Sequence, residues 1–271
     1  MKKIIALIIV ICSLCMTLCS CDILAQYIPG FKKDPGPNTP EEPVSDATVT
    51  EEEWNAAFEL GDNVTITAET SSSAKMSAPA MKYEAEYVST STAFNKYTEA
   101  AWYSKTTSYN KKVENGDVAE GSSEYDSYEA LNNDDGNWYR IYKDSNGKWV
   151  ANKNYKNDNL IFAQIETIIG GKINYSDFTF DSNKKAYTRS FDASRLGGTV
   201  PFKEGTVAIY FKDGAIVKLE ITMSGSSSQD MEVETGEMTT VTIEGQTLIT
   251  ITFTDYGTTS VDVPKYTIVE Y

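Results

Sequence analysis

The sequence predicts an α+β fold that is mostly antiparallel β, with one or two helices packed on or across the sheet. Segments such as 64–68 alternate apolar and polar residues, as expected for strands with one buried and one wet face. Tight turn sequences such as Asp213-Gly214 join pairs of these segments, which indicates hairpins. Two further segments, 51–58 and 160–169, carry apolar residues at helical spacing. Together these patterns favour a sheet covered by short helices.

The first predicted helix begins after Thr50. Thr50 is followed three residues later by Glu53, which is the pattern of a capping box, and the acids of the first turn suit the positive end of the helix dipole. Gly61 is expected to end the helix. The apolar side of the helix consists of Trp54, Ala57 and Phe58. We expect this side to lie on the sheet.

The middle of the chain, residues 90–155, is predicted to form several antiparallel strands joined by turns. The clearest turns are 133–136 and 144–147, where Asp, Asn and Gly suit positive backbone φ angles. These turns frame one strand over 138–143, and Trp149 is expected to open the next.

The second predicted helix follows Asp158-Asn159, which can cap its start, and ends at Gly170-Gly171. Its apolar residues are Leu160, Ile161, Phe162, Ile165, Ile168 and Ile169. A helix this apolar is expected to be buried against the sheet or to lie across its mouth.

The C-terminal part is predicted to contain three hairpins. They pair 178–181 with 186–191, 206–212 with 215–223, and 240–243 with 247–256. The third turn is 244–246, and a loop over 225–228 is expected before it. Three sets of apolar residues are each expected to share a face: Val207, Ile209 and Phe211; Val217, Leu219, Ile221 and Met223; and Ile249, Ile251 and Phe253.

The N-terminal segment has the pattern of a secretory signal. Lys2 and Lys3 precede an almost wholly apolar run over 4–18. The run ends in Leu18-Cys19-Ser20-Cys21, which resembles the lipobox of bacterial lipoproteins, with Leu18 and Ser20 flanking the cleavage site. The resemblance implies a signal peptide over 1–20 and a lipidated Cys21 that anchors the protein on the extracytoplasmic face of the bacterial membrane. The alternatives are a transmembrane helix, which needs about 20 uninterrupted apolar residues, and a free secreted protein.

Residues 21–48 are predicted to be the lipidated cysteine followed by a Pro-rich disordered tether, because they hold five of the chain's eight prolines. The β-rich extracytoplasmic domain then spans 49–271. All four cysteines lie within the first 21 residues, so no disulfide is expected in that domain. The net charge of −15 disfavours nucleic-acid binding and general adhesion to anionic lipids.

The order of elements and two local motifs carry a family resemblance. One motif is the hairpin 210–220, and the other is 251–257 followed shortly by 261–264. With the order helix, antiparallel strands, apolar helix and paired strands, they resemble the bacterial lipoprotein carrier proteins and their Gram-positive and actinobacterial lipoprotein relatives. The resemblance implies an incomplete β-barrel, a curved antiparallel sheet partly closed by helices, whose concave side can hold acyl chains. It implies no catalytic residue.

The residue types restrict the chemistry. The chain has no histidine, which excludes a Ser-His-Asp triad and a histidine metal site. No glycine-rich phosphate loop is present. Carboxylate pairs such as Glu84 with Glu86, or Asp134 with Asp135, are expected to be solvated surface. We therefore expect no catalytic residue, no cofactor and no metal, with a carboxylate-based hydrolase as the alternative.

The aromatic content, 17 Tyr, 4 Trp and 10 Phe, and the apolar second helix provide the candidate ligand-binding residues. These candidates, from the strand-rich middle and the second helix, are Trp102, Tyr103, Trp138, Tyr142, Trp149, Leu160, Phe162 and Ile165. Packing within the core and across strands is the alternative role for the aromatic residues. The leading hypothesis is a membrane-anchored binding module for an apolar or amphiphilic, lipid-like ligand. The alternatives are glycan or cell-wall binding, or a structural and interaction role in the cell envelope. The sequence does not identify a protein partner.

Overall fold

The structure, a computed structural model, describes residues 48–59, 63–154, 161–196, 202–232 and 238–269. The predicted signal peptide, the lipobox residues Leu18, Ser20 and Cys21, and almost all of the tether lie outside the described residues. Leu160 and the expected helix end at Gly61 lie outside them as well. Among the helices that are described, none is both long and apolar enough to cross a membrane.

The described residues form two α-helices and twelve strands. The helices are α1 (Glu51–Phe58) and α2 (Ile161–Ile169). The first six strands are β1 (Val64–Ala78), β2 (Tyr83–Tyr97), β3 (Ala101–Glu114), β4 (Asp117–Leu131), β5 (Trp138–Lys143) and β6 (Trp149–Asn154). The other six are β7 (Thr179–Asp181), β8 (Ala186–Asp192), β9 (Glu204–Lys212), β10 (Ala215–Glu232), β11 (Met238–Thr254) and β12 (Thr267–Ile268).

All twelve strands belong to one open, curled sheet in the order β12-β6-β5-β4-β3-β2-β1-β11-β10-β9-β8-β7. Strands β1 to β6 form one meander and β7 to β11 a second, and the pairing of β1 with β11 joins the two. Neighbouring strands are antiparallel except for β12, which pairs in parallel with β6. The predicted α+β fold with an incomplete barrel is confirmed.

The main core lies between the two helices and one face of the sheet. We call this helix-covered face the inner face and the opposite one the outer face. Trp54 of α1 is fully buried and contacts five aromatic rings at centroid distances of 5.1–5.6 Å. These rings belong to Phe58, Tyr175, Phe178, Tyr187 and Phe211. The space under the helices is therefore filled by the protein's own side chains.

Several local predictions are confirmed. Thr50 and Glu53 form the capping box at the start of α1. The strand 138–143 and the start of β6 at Trp149 have the predicted bounds. Gly136, Gly147 and Gly170 adopt positive φ angles of 68°, 74° and 71°, at the two predicted turns and directly after α2.

The predicted loop and the predicted third turn of the C-terminal part are both wrong. Residues 225–228, expected to be a loop, lie inside β10, and 244–246, expected to be a turn, lie inside β11. Gly245 is paired with Ala74 of β1 on one side and with Gly225 of β10 on the other. Backbone hydrogen bonds to two neighbouring strands therefore override the local turn preference of these Gly- and Ser-containing segments.

Val217 does not share a face with Leu219, Ile221 and Met223. A bulge in β10 shifts the register with β9 between Ile216 and Lys218, so that Ile216 enters the main core. Val217 instead packs with a small cluster on the outer face that consists of Ala186, Ala208 and Tyr210. The extra residue reverses the alternation of side chains at that point.

Candidate functional site

The five candidate aromatic residues of the middle strands are divided between the two faces of the sheet. Trp102 and Tyr103 are neighbours on β3, and successive side chains of a strand point to opposite faces. Trp102 is paired with Tyr97 of β2, which in turn is paired with the core residue Val64. Trp102 is also linked through Glu129 to Arg140 of β5, whose next neighbours on the same face are Trp138 and Tyr142, so these three candidates lie on the inner face. Tyr103, and Trp149 as the partner of Lys143, lie on the outer face. The five residues do not line one pocket.

The inner face carries a row of three half-buried aromatic rings, Tyr97, Trp102 and Trp138, which we call the aromatic row. The ring of Tyr97 packs against the main core and meets Trp102 edge-on at 5.0 Å. Trp102 lies 6.3 Å from Trp138 on β5. The row thus leads from the filled core toward the β5 side of the sheet.

Polar groups border the aromatic row. Glu129 is the cross-strand partner of both Trp102 and Arg140, and it accepts a hydrogen bond from the Asn154 side chain at 3.3 Å. Burial, together with the negative charge of Glu129, raises the pKa of Tyr97 to about 12. The Tyr142 hydroxyl lies 3.0 Å from the side-chain amide of Asn152. A molecule on this surface would therefore meet apolar rings edged by hydrogen-bonding groups.

Farther along the same strands, the inner face becomes a surface of small polar residues. Thr70, Ser91, Ser108 and Ser123 are cross-strand partners in one line from β1 to β4, which we call the hydroxyl row. The hydroxyls of Ser108 and Ser123 are 2.8 Å apart. Trp102 and Ser108 are six residues apart on β3, so the two rows are separated by about 20 Å.

On the outer face, Tyr103 and Trp149 belong to a structural cluster. Tyr128 lies between them, 4.8 Å from Tyr103 and 5.2 Å from Trp149. Trp149 and Tyr128 pack against buried residues of β5 and β6 together with the C-terminal residues Val261, Val263 and Tyr266. Lys143 lies over the Trp149 ring at 4.7 Å. These contacts fit the packing role that strand aromatics commonly have.

The candidates of α2 also contribute to the core. Ile165 is 1% exposed, and Phe162 contacts Phe58 at 4.7 Å and Phe253 at 5.8 Å. Ile165 therefore has no surface for a ligand, whereas Phe162 is half-buried and keeps one edge at the border of the core. Leu160 lies outside the described residues.

The carboxylate pairs named above have ordinary structural surroundings. Asp135 accepts hydrogen bonds from the Tyr139 hydroxyl at 2.7 Å and from the Asn137 backbone at 2.9 Å, and these bonds lower the pKa of its carboxyl. Lys75 pairs with Glu86 at 3.5 Å. Within the parts of the chain that the structure describes, no group of three or more acidic residues is placed to hold a metal ion.

Sequence reasoning missed Tyr97 and Glu129. The signal was available, since a turn between Tyr97 and Trp102 implies that the two residues face each other across a hairpin. The pairing of Glu129 with Trp102 needed the register of β3 with β4, which depends on the Asn115-Gly116 turn.

No family model matches the chain, and no curated protein matches it either. The structure therefore defines the protein by its fold, an α+β protein with one open, curled antiparallel sheet whose inner face carries two helices and an aromatic row.

Proposed function

We propose that the protein is a membrane-anchored lipoprotein whose exposed domain is a non-enzymatic binding module for an apolar or amphiphilic, lipid-like ligand. The observation that carries the proposal is the aromatic row on the inner face. Tyr97, Trp102 and Trp138 are only half-buried, although they continue directly from the core. Covering their exposed parts with an apolar group would make the binding free energy more favourable by roughly 25 cal/mol for each Å² of apolar surface removed from water.

The ligand would lie along the inner face of β1 to β5. Its apolar part would cover the aromatic row and the exposed edge of Phe162, and its polar part would reach the side chains around Glu129 or the hydroxyl row. The space beneath α1 and α2 is occupied by Trp54 and its neighbours, so the proposed site lies beside the helices. Anchoring through Cys21 would hold the domain near a membrane, which is a source of such ligands.

Native mass spectrometry with lipid extraction tests this proposal on the domain from Ser45 to Tyr271, purified from cells. The expected result is an added mass that extracts into organic solvent. We expect Trp102→Ala and Trp138→Ala to reduce the bound fraction. Trp149→Ala is the matched control, because it removes the same side chain from the outer face and should leave the bound fraction unchanged.

A domain without bound mass would argue against a lipid-like ligand, and so would an equal loss in all three variants. Labelling of the full chain with a radioactive fatty acid tests the anchor separately. Incorporation is expected in the natural chain and its loss in Cys21→Ser.

Glycan binding is the second candidate, and a specific observation favours it. Trp102 and Trp138 are half-exposed beside Glu129 and Asn154, and indole rings next to hydrogen-bonding side chains are suited to sugars. If the purified domain carries no lipid, a glycan screen with the same Trp variants distinguishes this function from a purely structural role.

A further inference from the structure

The first eleven residues of β4 form an unpaired edge of the sheet. Strand β3 pairs with β4 along its whole length, whereas β5 pairs only with 128–131. Among the described residues, no strand pairs with the other side of 117–127. Every residue from 117 to 125 is exposed, including Val118 at 60% and Tyr125 at 51%. We call residues 117–127 the β4 edge.

The β3–β4 turn determines which backbone N–H and C=O groups of this edge are not hydrogen-bonded to β3. Asn115 and Gly116 both have positive φ, 48° and 93°, as in a two-residue hairpin turn. The backbones of Glu114 and Asp117 therefore hydrogen-bond to each other. Along β4, the N–H and C=O groups of every odd-numbered residue then hydrogen-bond to β3. At the far end of the strand, Leu131 N–H donates to Ala100 of the β2–β3 turn, in agreement with this alternation. The N–H and C=O groups of the even-numbered residues point away from β3.

This edge lacks most of the features that usually prevent strand addition. Natural edge strands are commonly short, bulged or interrupted by proline. The β4 edge contains no proline, and its register with β3 runs without a shift from Glu114–Asp117 to Ala101–Ala130. The remaining protective feature is charge.

The charges on this edge are negative and regularly spaced. Even-numbered residues place their side chains on the outer face, and three of them are the acids Glu120, Glu124 and Asp126. Glu124 pairs with Lys105 at 3.0 Å, yet its side chain is still 61% exposed. A carboxylate has room for further hydrogen bonds, so a second cation can approach from the open side. On the inner side, the odd-numbered residues Ala119, Gly121 and Ser123 are small, and the larger Tyr125 is held toward β5 by a hydrogen bond that its hydroxyl accepts from Arg140 at 3.3 Å.

We propose that the β4 edge binds an extended segment of another protein by antiparallel strand addition, and that this segment carries Lys or Arg at alternate positions. The backbone of the segment hydrogen-bonds to the even-numbered residues from Val118 to Asp126. Its cations lie opposite Glu120 and Glu124 on the outer face, where directly opposed unlike charges stabilise a strand pair.

A second copy of the same edge is the less suitable occupant. Antiparallel pairing of two copies about Ser122 would place Glu120 opposite Glu124 of the second copy, at both ends of the contact. Like charges in directly opposed positions destabilise a strand pair. In this register the acids thus act against self-association, while they favour a basic segment.

This inference does not rest on the proposed ligand site, because the aromatic row lies at the other end of β3 and the acids Glu120 and Glu124 lie on the outer face; the two surfaces meet only at Ser123 of the hydroxyl row. The probe is a synthetic nine-residue peptide that alternates Lys and Thr, labelled with a fluorophore and titrated with the full chain in detergent. Fluorescence anisotropy measures its binding. Hydrogen exchange, resolved by residue with electron-transfer fragmentation, follows the amides of β4.

We expect the Lys–Thr peptide to bind and a matched Glu–Thr peptide not to bind. Bound peptide should slow exchange at Val118, Glu120, Ser122, Glu124 and Asp126. The amides of the odd-numbered residues, already bonded to β3, should keep their rates. Glu120→Lys with Glu124→Lys should weaken binding about tenfold or more, whereas Glu51→Lys with Glu52→Lys, exposed acids of α1, should change it little.

Methylation of the peptide backbone provides the control for strand addition. N-methyl groups on the residues whose N–H faces β4 should abolish binding, and N-methyl groups on the intervening residues should not. The proposal is overturned if the Lys–Thr peptide fails to bind, if both methylated peptides bind equally, or if exchange slows equally at odd and even positions. Either of the last two results would indicate simple charge attraction without strand pairing.

Discussion

The hydroxyl of Tyr187 joins β8 to the backbone of Val49 through two hydrogen bonds. It accepts from the Val49 N–H at 2.9 Å and donates to the Val49 carbonyl at 3.0 Å. Tyr187 is 4% exposed and its ring meets Trp54 edge-on at 5.3 Å. One side chain therefore fixes the chain just before α1 to the sheet and also helps to enclose the central tryptophan.

Replacing this hydroxyl should destabilise the domain. Tyr187→Phe keeps the ring contacts but leaves the buried N–H and C=O of Val49 without this partner. We expect the free energy of unfolding to fall by about 1–3 kcal/mol. Urea unfolding followed by tryptophan fluorescence measures the change. Tyr125→Phe is the control, because Tyr125 is exposed on β4. Equal stability of the two variants would show that the Val49 contact contributes little.

Gly205 allows the ring of Phe191 to pack against β9. A Cβ atom at residue 205 would lie 2.2 Å from the nearest atom of that ring. Gly205→Ala should therefore displace Phe191 and lower the free energy of unfolding by about 1–3 kcal/mol. Gly121→Ala, on the exposed β4 edge with nothing within 4 Å of the new atom, is the matched control and should be nearly neutral.

A double-mutant cycle identifies the cause of the Gly205 effect. If contact with the ring is responsible, Gly205→Ala should cost much less in a Phe191→Ala background than in the natural chain. The same cost in both backgrounds would point instead to the backbone of residue 205.

The sequence predicted the fold best where local chemistry decides the structure. The bounds of the strand 138–143 follow from glycine-containing turns on each side, and the start of α1 follows from the Thr50–Glu53 capping box. The prediction failed at 225–228 and 244–246 because the conformation of these segments depends on pairing with strands far away in sequence. A short run of Gly, Ser and Glu is compatible with a turn or with a long strand, and only its partners decide between them.

The candidate site was predicted only in part. Alternation along β3 alone separates Trp102 from Tyr103, so their placement on opposite faces follows from the strand assignment. The meeting of Trp102 with Trp138 depends on the registers of β3 with β4 and of β4 with β5. The packing of the C-terminal residues 261–266 over the outer-face cluster has no local pattern that would predict it.

The capping box of α1 should make a measurable contribution to stability. The Thr50 side chain accepts from the Glu53 N–H at 3.2 Å, and the Thr50 N–H donates to the Glu53 carboxylate at 2.7 Å. In urea unfolding, Thr50→Ala should lower the free energy of unfolding by about 0.5–2 kcal/mol, whereas Thr50→Ser should leave it close to that of the natural chain. A Ser variant as unstable as the Ala variant would assign the effect to the methyl group of Thr50.

Tyr97, at the inner end of the aromatic row, should make stability depend on alkaline pH. Burial, aided by the charge of Glu129, raises the pKa of its hydroxyl to about 12 in the folded protein, compared with about 10 for an unfolded chain. Because the folded-state pKa is the higher one, the stabilisation is complete below pH 10 and is lost as the pH rises toward 12. Titration of ¹³C-labelled tyrosine by NMR measures this pKa, and Tyr97→Phe assigns the resonance.

Glu129→Gln should lower the pKa of Tyr97 while leaving it above 10, since burial is the larger cause. A Tyr97 that ionises near pH 10 in the natural chain would show that water reaches its hydroxyl, and that the inner end of the row is more open than the packing implies.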